Sequence, residues 1–341
     1  MTQLFSHLRV SSEYSISQGL LTVDQIVDNA IRNSVPSVAL TDKSIMFGLV
    51  KFFNKFESDG IKPISGSSIR LIFDDDDTSY ELLCLAKTNN GHKNLMKIIS
   101  NAHNNSSFNL PIIRFNNLIE LKDDIIVISG GKDSHIFEYL KSNNTSDASK
   151  RIDDFRKSFG DDFVLDVQLT NRIDEIEYLK NVLPIAKDKG IPLIATNDVL
   201  FAEQDDYEIH ETKVCINTGK TLNDPNRERV FSEHQYFKSP QEMTELFKDY
   251  DSLINNTNEI SKKCNVSLET KGYFLPEYPV PKKHNFDSFL KEISTQRIES
   301  YIKDFDSKKH SEYLDRLNYE LEQIKTMGFS SYFLIVYDFI E

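Results

Sequence analysis

The chain has 341 residues, 39% of them hydrophobic and 27% charged, enough apolar material for one large or two ordinary domains and too much for a disordered chain. Its 40 Lys+Arg against 53 Asp+Glu leave a formal charge of −13, which argues against a surface that grips phosphates over its whole extent. No apolar run approaches the ~20 residues of a membrane span, the start lacks a signal-peptide pattern, and Cys84, Cys215 and Cys264 have no metal-type spacing. These features predict a cytoplasmic protein with buried free thiols.

In chain order, the pattern predicts strands at residues 5–10, 37–40, 62–64, 69–73, 80–86, 125–129, 163–169 and 192–196. Several are continuous aliphatic or β-branched runs, the signature of strands buried on both faces. Helices are expected at 23–33, 47–58, 93–101, 146–158 and 173–189, with Gly60 and Gly190 placed as C-terminal caps for two of them. Strand and helix in alternation predict βαβ units and a parallel sheet, open or closed into a barrel. Asp74, Asp75, Asp76 and Asp77 fall between two strand candidates and read as a solvated hairpin tip.

Three prolines, Pro276, Pro279 and Pro281, make a stiff connector after about residue 275. Beyond it, residues 286–302 and 312–326 read as helices and a third begins at 330. The apolar run at 332–337 has no cap after it, so the chain reads as cut short. The expected division is a first domain at 1–275, a connector at 276–284 and an incomplete second domain at 285–341.

Parallel α/β folds place chemistry at the carboxyl ends of their strands. Here those ends carry HLRVSSEYS (7–15), TDK (41–43), GSS (66–68) and TNDVL (196–200). None forms a Ser/His/Asp arrangement, a Gly-x-Ser-x-Gly elbow or a phosphate-binding Gly-rich loop. His7 lies on the first strand two residues before Arg9 and reads as a hydrogen-bonded strand residue. The other seven histidines are scattered, with no ligand spacing.

These segments resemble the polymerase-and-histidinol-phosphatase (PHP) domain that opens bacterial DNA polymerase III alpha subunits. The resemblance rests on HLRVSSEYSISQGL (7–20), VALTDKSIMFGLVKFF (38–53), GIKPISGSSI (60–69), LLCLAKTNNGHKNLMKIIS (82–100) and GIPLIATNDVLF (190–201). It continues through HETKVCINTGKTLNDPNRERVFSEHQYFKSPQEM (210–243), GYFLPEYPVP (272–281) and MGFSSYFLIVYDFI (327–340), collinear over essentially the whole chain. It implies an α/β fold, a distorted (β/α)7-type PHP barrel followed by the first helices of the polymerase palm or core region.

Metal-binding members of the family hold a cluster of ions. The resemblance puts those ligand positions on Arg9, Ser11, Gln18, Lys43, Ser68, Glu81, Gly131, Thr170, Asp198 and Leu200. Only Asp198 is retained and Glu81 is the one other plausible donor, too few for a transition-metal site. No metal is therefore expected in this pocket. Arg9 and Lys43 are expected to pair with Asp198 and Glu81, offsetting the cost of burying the carboxylates.

DNA synthesis needs carboxylates that hold two divalent ions about 4 Å apart. The family carries them on a Pro-Asp-Phe-Asp-x-Asp motif that is absent from residues 1–341, so no catalytic residue is expected before Glu341 and Mg2+ would serve a polymerase core beyond it. The expectation is an inactive module that supports the core and docks the epsilon proofreading exonuclease among other holoenzyme subunits. DNA would be met mainly through the core, with no membrane contact. The alternative is a metal-dependent phosphoesterase or 3′–5′ exonuclease in the PHP domain itself.

Overall fold

The structure, a computed structural model, describes residues 4–76, 78–104, 110–268 and 276–341. Two compact units divide the chain, Met1–Leu268 and Glu269–Glu341. The boundary expected at residue 275 and the position of Asp77 lie outside the described residues.

In the first unit β1 (His7–Val10) leads to α1 (Val23–Arg32), β2 (Ser37–Leu40), α2 (Leu49–Asp59) and β3 (Lys62–Ile72). There follow β4 (Ser79–Ala86), α3 (Asn89–Asn104), β5 (Ile112–Arg114), α4 (Phe115–Glu120) and β6 (Ile125–Ile128). The order continues with α5 (His135–Lys141), α6 (Thr145–Phe159), β7 (Phe163–Val167), α7 (Glu175–Lys189) and β8 (Leu193–Ala195). Helices α8 (Tyr207–Thr218), α9 (Pro240–Leu246) and α10 (Asp251–Lys263) close the unit. A reciprocal Thr22–Gln25 capping box starts α1, and Gly60 and Gly190 end α2 and α7 with φ of 71° and 60°, as their positions predict.

The sheet runs β1-β2-β3-β4-β6-β7-β8, with β5 branching from β3. It is not wholly parallel: β4 is antiparallel to both β3 and β6. Alternation misread this because β3 continues unbroken through Gly66 and returns by a hairpin too short for a crossover helix. Glycine at 66 permits the close approach, since a Cβ there would lie 2.6 Å from Leu85 Cδ2 and 3.0 Å from the Cys84 carbonyl. The hairpin tip is tied down rather than merely solvated. Asp74 pairs with Arg114, Asp75 with Arg151 and Asp76 with His135.

The sheet curls into a barrel whose seam lies between β8 and β1. After β8 the chain returns to β1, where Ser11 N donates to Val199 O (3.0 Å) and Val199 N to Arg9 O (3.1 Å). Along β8 itself, α10 takes the place of a strand: Thr257 Oγ1 accepts from Ala195 N (3.1 Å) and donates to Ala195 O (2.8 Å), and Asn256 donates to Leu193 O (2.9 Å). A free edge is thereby satisfied by side chains.

Leu8, Ala39, Ile64, Leu83, Leu85, Ile126, Ile128, Val164 and Ile194, from every strand of the curled path, form one inner cluster with Ile260 of α10 and Cys264 just after it. Ser6 donates to Asn258 (3.0 Å) and Lys62 to Ser261 O (2.9 Å), so α10 covers the amino-terminal end of the strands. The opposite end remains for a pocket. Helices α1 and α2 pack outside one half of the sheet, and α3, α5, α6 and α7 outside the other. All three cysteines are buried and free.

The second unit contains α11 (Phe286–Ile302), α12 (Ser307–Thr326) and α13 (Ser330–Ile340). Among the described residues of this unit, Leu290, Ile302 and Leu334 are the buried apolar ones. Asp287 accepts from Ser330 (2.6 Å), and Arg297 pairs with Glu341 (2.7 Å). Much of the apolar surface of α13 stays exposed, Phe339 by 90%. Among the described residues, no helix is long and apolar enough to cross a membrane.

Candidate functional site

The site begins with an irregularity in β1. His7 faces Val38 and Val10 faces Leu40, so three steps along β1 match two along β2. The extra residue is a bulge, which breaks strict alternation and re-aims a side chain. Leu8 can then join the inner apolar cluster while its neighbour Arg9 enters the charged mouth above it. His7 turns away instead. Its Nε2 donates to Lys238 O (2.8 Å) and its ring packs on Phe5 and Phe237. Burial lowers its pKa to about 4, so it is the hydrogen-bonded strand residue its sequence context predicted.

Glu81 arrives from the opposite chain direction. Because β4 is antiparallel, its first residues lie at the carboxyl ends of the parallel strands, with Glu81 opposite Arg70. Arg9 then bridges the mouth: Nη2 to Glu81 Oε1 (2.5 Å), Nε to Asp198 Oδ1 (3.1 Å) and Nη1 to Asp166 Oδ2 (4.0 Å). Lys43 Nζ reaches Glu81 Oε2 (2.8 Å), and Ser68 donates to Glu81 (3.2 Å). Both expected cations therefore meet the expected acids. Burial would raise the Glu81 pKa, but Lys43 and Arg9 outweigh it and hold the carboxyl far below the ordinary range. Burial likewise opposes the charge on Arg9, and Asp198, Glu81 and Asp166 more than reverse it.

The remaining predicted positions divide. Gln18 lines the same cavity, of about 260 Å³. Ser11 and Leu200 are buried and act through their backbone, Leu200 N donating to Gln235 O (2.9 Å). Gly131 donates its N–H to Asp166 Oδ1 (2.7 Å). Thr170 sits at the edge of the cluster, donating its N–H (2.5 Å) and hydroxyl (2.6 Å) to Glu175 and accepting from Arg172 Nε (3.1 Å).

Three further participants had not been anticipated. Asp166, fully buried on β7, accepts from Ser129 (2.9 Å), Thr196 (2.9 Å) and Gly131. Arg172 reaches Glu175 (3.0 Å), Asp133 (3.2 Å) and Asp198 (3.7 Å). Gln235 donates to the second oxygen of Asp198 (2.9 Å). An Asp inside the apolar run Phe163–Val167 was a usable signal for Asp166. The others sit in loops whose placement sequence spacing does not give.

A metal cluster does not fit these residues. The guanidinium of Arg9 lies among the three carboxylates, Lys43 covers Glu81, and Leu200 offers no donor. Among the described residues, no group of three His, Cys, Asp or Glu is arranged to hold an ion. The arrangement is a neutralised salt-bridge network, whose acids are engaged by hydrogen bonds and cations rather than free to coordinate.

Comparison with known proteins gives two family matches: the PHP domain at residues 7–170, and the "Bacterial DNA polymerase III alpha NTPase domain" at 288–341. The DNA polymerase III subunit alpha of Pseudomonas aeruginosa is 38% identical over 351 residues, covering 100% of this chain and 30% of that protein. That of Escherichia coli K12 is 37% identical over 345 residues, covering 99% and 30%. The chain thus spans about 30% of the length of the curated relatives it matches. Among solved structures, a putative metal-dependent phosphoesterase from Bifidobacterium adolescentis aligns with a TM-score of 0.40 at 12% identity, over 57% of this chain and 87% of that one.

Proposed function

This chain belongs to the bacterial DNA polymerase III alpha-subunit family, matching its PHP-bearing N-terminal region, and on that premise we propose that its barrel is a catalytically inactive module. The observation that carries the reading is Arg9 seated among Glu81, Asp198 and Asp166, where a phosphoesterase would need metal ions. A guanidinium cannot lower the pKa of a bound water as a divalent ion does, and it blocks the carboxylates that would hold one. The barrel then serves as a scaffold, its mouth locked by ion pairs.

In a full-length protein of this kind, template-directed DNA synthesis would belong to the polymerase core, with Mg2+ held by carboxylates outside residues 1–341. The PHP module would support that core and dock the epsilon proofreading exonuclease within the holoenzyme, in the cytoplasm. Support for this comes from the relatives being polymerase subunits over all of this chain.

The test is hydrolysis of a 3′-mismatched primer and of a generic phosphomonoester by purified protein, with Zn2+ or Mn2+ added. No turnover above the rate of a heat-inactivated sample is expected. Metal-stimulated hydrolysis that follows the protein through purification would overturn the assignment.

A further inference from the structure

We propose that the loop of residues 219–233 is a strap across the mouth of the barrel, which swings open on its two ends while the barrel stays folded and so sets the access of solutes to the mouth. The strap holds whether or not the barrel is an inactive module. The loop contains no helix or strand, and each of its residues is exposed or half-buried. Loops longer than about 12–15 residues without secondary structure of their own are uncommon in compact domains, and a lid is a frequent reason for one.

Both ends are fixed. Gly219, with φ of 67°, ends α8, and Lys220 N donates to Cys215 O (2.9 Å). After the loop, Gln235 O accepts from Leu200 N (2.9 Å) and Phe237 N donates to Phe201 O (3.1 Å), tying the chain to the seam. Between these ends, Val230 and Phe231 line two adjoining cavities at the mouth, of about 260 and 400 Å³.

Few bonds hold the span down. Asp224 N donates to Thr221 O (3.1 Å) and Asn226 N to Asp224 Oδ1 (2.9 Å), both within the loop. Near its far end Tyr207 Oη donates to Phe231 O (3.2 Å) and Ser232 Oγ to Thr170 O. From Thr221 to Val230, among the described residues, the one polar tie to the rest of the molecule is Arg227 Nη1 with Glu211 Oε2 on α8. This pair is the latch. Its side chains are 7% and 5% exposed, and Arg227 Nε has no partner. A swinging loop carries Arg227 into water, so the cost of opening is chiefly the buried Glu211 left behind. Segments with so few buried contacts open locally, well below the free energy of global unfolding.

Cys215 is a native reporter of that opening. It lies one turn beyond Glu211, within electrostatic reach of Arg227, and it is buried outside the apolar clusters that hold Cys84 and Cys264. The experiment labels the 341-residue protein with iodoacetamide under native conditions and reads each thiol by peptide mass spectrometry. Cys215 is expected to label faster than Cys84 and Cys264, and Glu211→Gln to speed it by about tenfold or more while leaving the other two unchanged. Tyr207→Phe, which removes one bond near the end of the loop, should speed it less, and thermal melting of each variant controls for folding. Access to the mouth is read separately with Gln18→Cys in a Cys215→Ser background, since Gln18 lines both cavities. Glu211→Gln should speed labelling of the introduced thiol as well. Rates that are equal at the three native cysteines, that rise together, or that do not respond to Glu211→Gln overturn the proposal. Faster labelling of Cys215 with an unmoved thiol at position 18 overturns it too, because the loop would then open without uncovering the mouth.

Discussion

Arg9 and Asp198 are 189 positions apart in the chain and 3.1 Å apart in the structure. Their meeting depends on the barrel seam, where Val199 bridges Val10 and brings the end of the β8 region alongside β1. The same seam fixes the network to the fold, so the ion pairs and the barrel are stabilised together.

Removing one side of this network leaves buried charge without a partner. Arg9→Ala is expected to cost about 3–5 kcal/mol of unfolding free energy, since buried Asp166 loses its cation and Asp198 keeps only Arg172 at 3.7 Å, while Glu81 keeps Lys43. Denaturant melts measure it. A loss under about 1 kcal/mol, the range of an exposed pair, would mean the network is not structural.

Acid should expose Glu81. Its folded pKa is depressed below the ordinary 4.5 by Lys43 and Arg9 acting against burial, so its contribution is present above pH 4.5. That contribution is lost as pH falls below 4.5, where the unfolded chain takes up the proton first. Glu81→Gln should be less stable at neutral pH yet flatter than the parent below pH 4.5. Parallel stability curves would contradict this.

A second, milder acid limb belongs to His7. Burial lowers its pKa from 6.5 to about 4, so stability is full above pH 6.5 and declines by about 3 kcal/mol between 6.5 and 4. His135, lowered to about 4 by burial and by Arg151, declines over the same window. His7→Gln should remove part of the slope there, and the double variant with His135→Gln more of it.

The seam makes a prediction of its own. Thr257→Val keeps the shape of the side chain but leaves Ala195 N–H and C=O without their partner, at a cost of about 1–3 kcal/mol. Hydrogen exchange should accelerate first at Ala195. Unchanged protection there would show that α10 does not act as the missing strand.

The sequence disclosed the parts of the fold whose signals are local. Buried aliphatic runs such as Ile125–Ile128 and glycine caps at Gly60 and Gly190 read correctly because one face or one φ value decides them. The continuity of β3 was not legible, since Gly66 looks like a strand break until Leu85 is packed against it, although the hairpin expected between 69–73 and 80–86 gave the direction of β4. At the site, Arg9, Lys43, Glu81 and Asp198 were found by the positions they occupy in a resembling family. Arg172 and Gln235 were not, because their roles arise from loops brought together by barrel closure, while Asp166 was missed although an Asp inside the apolar run of β7 marked it. The bulge in β1 was equally invisible: period-two alternation puts His7 and Arg9 on one face, and only the extra residue parts them.

If Arg9 takes the place of metal ions among Glu81, Asp198 and Asp166, the protein should hold almost no metal. The purified protein would be dialysed against Zn2+ and Mn2+, desalted and measured by inductively coupled plasma mass spectrometry. The network predicts far less than one ion per chain, unchanged when Asp198→Asn is measured beside it. One ion per chain, lost in Asp198→Asn, would contradict it.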